Sequence, residues 1–121
     1  MSQYDPKTFK PSTSAPIKTM ARLLCEVEWT TSRDAWMRFA VYETRGGAYI
    51  AVSEGEAPGK PDQVERDVTV VEAIPKLLKD LTHQRDEIAM QIAVLDHFSW
   101  HDRAKSMLKR ELGWSPVREV A

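Results

Sequence analysis

The stretch LDHFSWHDRAKSML holds Asp96, His97, His101 and Asp102 within seven residues, and with them two of the chain's three histidines. Imidazoles beside carboxylates are the material of general acid–base catalysis and of metal ligation. His97 and His101 are four apart, so a continuous helix would set both on one face. Two features point to a helix joint instead. Ser99 to Asp102, SWHD, has the form of a capping box, in which the serine accepts from the amide three residues on and the carboxylate reaches back. A cap at that position breaks the helix that would align the histidines. Neither histidine stands in an HExxH arrangement, and a full ligand set would have to recruit Asp96 or His83. The sequence therefore assigns no metal site and no cofactor.

Other nucleophiles fare no better. Cys25, the one cysteine, alternates with apolar residues and reads as a small inward hydrophobe, whereas a reactive thiol needs exposure and a polarising neighbour. No serine sits in a nucleophile elbow. Arg45 to Ala48, RGGA, is too short for a phosphate loop and no helix pattern follows it, so it reads as a hairpin turn. No catalytic residue is assigned, and the chain reads as non-enzymatic.

Composition sets the frame for these residues. A chain of 121 residues suits one domain, and 42% hydrophobic residues suffice for a core without disulfide or metal. A net charge of −1 excludes a strongly basic nucleic-acid binder as a whole, though not a local patch. Lysines give residues 1–20 a charge of +2, residues 21–71 carry −3, and residues 72–121 balance to zero. No apolar run approaches the ~20 residues that span a bilayer, and no apolar block follows the N-terminal lysines as in a secretory signal. The expected setting is cytoplasmic, with no membrane partner.

The expected fold is α+β: a four-stranded antiparallel meander, then a long amphipathic helix, then a shorter C-terminal helix. Residues 1–18, with Pro6, Pro11 and Pro16, read as a flexible tail before a single domain over 19–121. Leu23, Cys25, Val27 and Trp29 alternate with Leu24, Glu26, Glu28 and Thr30; Met37, Phe39 and Val41 with Trp36, Arg38, Ala40 and Tyr42; then Ile50 and Val52 with Tyr49 and Ala51. Ser53 to Asp62 reads as a loop, and Val64 to Val71 as the fourth strand. A tight turn with Thr44 opposite Gly47 sets Val41 against Ile50, Phe39 against Val52 and Tyr42 against Tyr49. In the first hairpin, matched apolar faces set Cys25 against Phe39, Val27 against Met37 and Glu26 against Arg38.

That register gathers Trp36, Arg38, Tyr42 and Tyr49 on an outer sheet face. Aromatics and an arginine on an open sheet are what single-stranded nucleic-acid binders use. Strands followed by a helix is also similar, in element order alone, to some small single-strand binders. Glu26, Glu28 and Glu43 share or border the surface and would repel a phosphate chain.

After Ala73 the period changes. Leu78, Leu81, Arg85, Ile88, Ile92 and Leu95 recur at four-three spacing on one long helix, a seam that points to homodimerisation. Trp100, Ala104, Met107, Leu108 and Leu112 form the stripe of the last helix, with Gly113 as its stop. Arg103, Lys105, Lys109 and Arg110 read as its solvated face. The functional expectation is a small binding or regulatory module acting through protein–protein contacts as a homodimer, with single-stranded nucleic-acid binding through the sheet face as the alternative.

Overall fold

The computed structural model describes residues 3–30, 35–57, 60–72 and 87–117. They form an α+β fold of β1 (Asp5–Phe9), β2 (Ile17–Thr30), β3 (Trp36–Thr44), β4 (Tyr49–Ala57), β5 (Lys60–Val71), α1 (Glu87–His97) and α2 (Asp102–Leu112). The strands make one antiparallel sheet in chain order. There are thus five strands, not the expected four. The additional one, β1, lies in the stretch expected to be a flexible tail, and pairs Asp5 with Ala21 through to Phe9 with Ile17. The expected loop Ser53 to Asp62 is largely strand as well, since β4 and β5 run on until Ala57 faces Lys60.

The sheet curls until its margins meet. The Ser12 amide donates to the Arg66 carbonyl at 2.9 Å, and the Arg66 amide donates to Ser12 Oγ at 2.8 Å. The β1–β2 connection is thereby laced to β5, occupying backbone groups that an edge strand would leave open. The curl gives the sheet an inner face and an outer one. Inside, Phe9, Ala21, Ala40, Tyr42, Ile50 and Val52 pack together with Ile17 and Val68. Outside, Val27, Phe39, Val41, Tyr49, Ala51 and Val71 meet Met90, Val94 and Phe98 from α1 and its end, and Ala104 and Leu108 from α2. β3 and β4 are therefore buried on both sides, so that Phe39 to Tyr42 and Tyr49 to Val52 are each apolar without a break.

Two registers differ from the sequence reading. Between β3 and β4, Thr44 faces Ala48 rather than Gly47, with the Thr44 amide on the Ala48 carbonyl at 2.8 Å and the Ala48 amide on Thr44 Oγ1 at 2.9 Å. Gly47, at φ 91°, takes the left-handed last position of a three-residue loop. The added loop residue shifts the strands by one, so Val41 pairs with Ala51, Tyr42 with Ile50 and Glu43 with Tyr49. Between β2 and β3 a bulge falls between Leu23 and Cys25. It splits the expected stripe: Cys25, Val27 and Trp29 stay on the helix side, while Leu23 pairs with Tyr42 and is 43% exposed. Beyond the bulge the expected parity holds, with partners displaced by two: Val27 faces Phe39 and Glu28 faces Arg38.

The end of α1 and the start of α2 follow local rules with one change. His101, not Ser99, caps α2, its Nδ1 accepting from the Ala104 amide at 3.2 Å. Gly113 ends α2 at φ 70°, donating to Arg110 while Trp114 donates to Lys109, the paired bonds of a Schellman ending. The expected helix start before residue 87 lies outside the described residues, as do Leu78, Leu81 and Arg85. No helix among the described residues is long and apolar enough to cross a membrane.

Candidate functional site

The sheet-face residues divide between its two sides. Arg38 and Tyr42 belong to the inner face, four residues apart on β3, and half-buried Trp36, two residues before Arg38, has the same parity. Tyr49 is on the outer, helix-covered side, because the one-residue shift at the turn turned it over. Tyr42 is 8% exposed and edge-on to Phe9 at 4.9 Å, and Tyr49 is 5% exposed and edge-on to Trp114 at 5.1 Å. The Tyr49 hydroxyl donates to Glu87 at the first turn of α1. The four residues are not brought together as one stacking platform.

Arg38 instead stands in a ladder of alternating charge across four strands. Its Nε donates to Glu26 Oε2 at 2.7 Å, its Nη1 to Glu54 Oε1 at 2.9 Å and its Nη2 to the Tyr42 hydroxyl at 2.8 Å. Glu54 Oε2 in turn accepts from Arg66 Nε at 2.5 Å. Glu26 reaches Arg38 from the diagonal position rather than from directly opposite. Burial alone disfavours the Arg38 cation, but its bonds to Tyr42, Glu26 and Glu54 outweigh this and hold the charge more firmly than in water. Arg66 also reaches the Lys10 carbonyl at 3.4 Å, which ties the ladder to the β1–β2 connection. Elsewhere the curled sheet leaves a groove of about 370 Å³ lined by Ile17, Thr19, Thr44, Ile50 and Val70, with Lys18 and Glu72.

On the helix side, His97 closes α1 onto β4 and β5. Its Nε2 pairs with Ser53 Oγ at 2.8 Å and its Nδ1 with Thr69 Oγ1 at 2.7 Å. Each hydroxyl can donate or accept, so either neutral tautomer is satisfied. Burial pulls the His97 pKa below its ordinary value, with Asp67 pulling weakly the other way. The unfolded chain then takes up the proton first as pH falls through about 6.5, and it binds more protons than the folded chain below that point. Stability is therefore lost on acidification in this range and is fully present above it. A melting series from pH 7.5 down to pH 5, of the order of the His range, tests this: His97→Gln is expected to flatten the fall. An unchanged slope would detach it from His97.

The Cys25 thiol is pushed up to about 11, first by burial and then by Glu111 and Glu26, which keeps it protonated and unreactive near neutrality. Among the described residues, no group of three His, Cys, Asp or Glu side chains converges as metal ligands. His83 lies outside them.

The helices present a different kind of surface. Of the seam residues, Ile88 is 46% exposed, Ile92 is half-buried and Leu95 is buried. Trp100, expected on the buried stripe of the last helix, lies in the turn before α2 and is 61% exposed. Its ring is 5.7 Å from Phe39 and 5.5 Å from His101. Beside it, Trp29 stacks on Phe39 at 5.3 Å, and the Arg103 guanidinium lies 4.6 Å over Trp29. Helical spacing did not reveal this group, because the turn ahead of α2 takes Trp100 out of the helix. Comparison of the chain with family models, with curated proteins and with solved structures found no match in any of the three.

Proposed function

We propose that the protein is a non-enzymatic binding module that works through protein–protein contacts as a homodimer, with the outward apolar stripe of α1 as its contact surface. The observation that carries the reading is that α1 is apolar in two directions. Met90 and Val94 pack toward the sheet. Ile88 and half-buried Ile92, at helical spacing, form a second stripe on nearly the opposite side of the helix, with buried Leu95 at its margin. A helix apolar on more than one side needs more than one apolar neighbour, and Ile88 is left 46% in water. In the sequence the same four-three spacing continues back through Arg85, Leu81 and Leu78, the repeat by which self-complementary seams are recognised. The polar groups with chemical potential support the non-enzymatic part. His97 is held between two hydroxyls, and Arg38 is shared among two carboxylates and a phenol.

Sedimentation velocity at tens of micromolar is expected to give twice the mass of one chain. Ile88→Glu is expected to give a folded monomer, because a carboxylate buried at the seam without a partner is costly. A strictly monomeric parent protein would overturn the proposal.

A further inference from the structure

We infer that the turn between α1 and α2, together with the outer side of α2, is a docking surface for single-stranded nucleic acid. The surface differs from the α1 stripe and does not depend on dimerisation.

Trp100 supplies the stacking element. Its indole is 61% exposed, yet it is positioned by ring contacts to Phe39 and His101 rather than hanging free. Phe39 is fully buried and anchored in the core. An exposed indole on a fixed base offers a flat π surface at small entropic cost, and every nucleobase has a face to match it. The neighbouring Trp29 already carries a guanidinium, that of Arg103, at 4.6 Å, so aromatic and cation are adjacent.

The outer side of α2 supplies the charge. Arg103, Ser106, Lys109 and Arg110 are exposed and share that side, with Asp102 the single acid among them. Arg103, Lys109 and Arg110 form no ion pair among the described residues, unlike Arg22, Arg38 and Arg66 of the sheet. Glu111, also exposed, stands on the flank of α2 nearer β2, where its charge acts on Cys25. From Arg103 to Arg110 is roughly 10 Å along the axis at ~1.5 Å per residue, long enough to meet more than one phosphate of an extended strand. Charge alone would suit an acidic peptide equally. The exposed indole beside the cations is what selects a partner with stackable bases as well as anionic groups.

The test is fluorescence anisotropy of a labelled oligo(dT) of about a dozen nucleotides, within the usual site size of ~4–16, on the full chain at low salt. Saturable binding is expected. Trp100→Ala is expected to weaken it about 5- to 100-fold. Arg110→Gln, on an exposed position, should keep the fold, weaken binding, and lower the slope of log affinity against log salt by ~0.7. Ile88→Glu should leave the affinity per chain unchanged. The inference is overturned by no binding at low salt, by equal binding of a duplex of the same length, by poly-glutamate binding with the same dependence on Trp100, or by Trp100→Ala and Arg110→Gln variants that bind like the parent.

Discussion

Replacing Phe39 with alanine is expected to cost about 3–5 kcal/mol, a large share of the ~5–15 kcal/mol that holds a domain of this size together. The reason is the company the ring keeps. Phe39 is fully buried and lies within 6.1 Å of four other rings: Trp29 from β2, Phe98 at the end of α1, Trp100 in the turn and His101 at the cap of α2. It is the point where the sheet, both helices and their joint converge. Alanine would leave a cavity bounded by elements that cannot all move into it, so the loss includes both transfer and cavity contributions. Phe39→Leu keeps most of the volume and is expected to cost under about 2 kcal/mol. Urea unfolding of the two variants measures both. A Phe39→Ala cost below that of Phe39→Leu would show that the ring cluster is not where the stability lies.

The second large effect is expected at Arg38. Arg38→Ala should destabilise by about 2–4 kcal/mol, somewhat under the cost of breaking a fully buried pair. The loss arises less from the vanished bonds than from what they leave behind. Glu54, 11% exposed at its side chain, would keep only Arg66 to balance it among the described residues, and the buried Tyr42 hydroxyl would lose the guanidinium that donates to it. The companion measurement separates these causes. Arg38→Met combined with Glu54→Gln removes the stranded charge and is expected to recover part of the loss, whereas additive losses would place the cost in packing instead.

Much of this fold was legible in the sequence, and the parts that were not have physical reasons. The strands around Phe39 and Ile50 are evident from β-branched and aromatic residues. Their unbroken apolar runs, FAVY and YIAV, also carry the mark of burial on two sides. A period-two reading assumes one wet face and overlooks this. The register turned on one loop residue: with glycine last in RGG, a three-residue loop was as available as a two-residue one, and it alone decides which way Tyr49 points. β1 has no readable period because only Phe9 of its five residues is buried. α1, EIAMQIAVLDH, offers two apolar stripes, and sequence alone does not say which one meets the sheet. The partners of His97 were beyond reach for a different reason. Ser53 and Thr69 are 44 and 28 residues away, joined to it only by how the sheet curls under the helix.

The order of the sheet also bears on how the molecule comes into being. Each strand pairs with the one made just before it, so the sheet can assemble as the chain leaves the ribosome, by short hairpin closures. The lacing of Ser12 to Arg66 across 54 residues must wait for β5. Until α1 and α2 are synthesised, the side bearing Phe39, Val41, Tyr49, Ala51 and Val71 faces water uncovered. A nascent chain stalled just after Val71 would therefore be a sticky, half-clothed sheet, and it is the synthesis of α1 and α2 that makes the product safe from self-association.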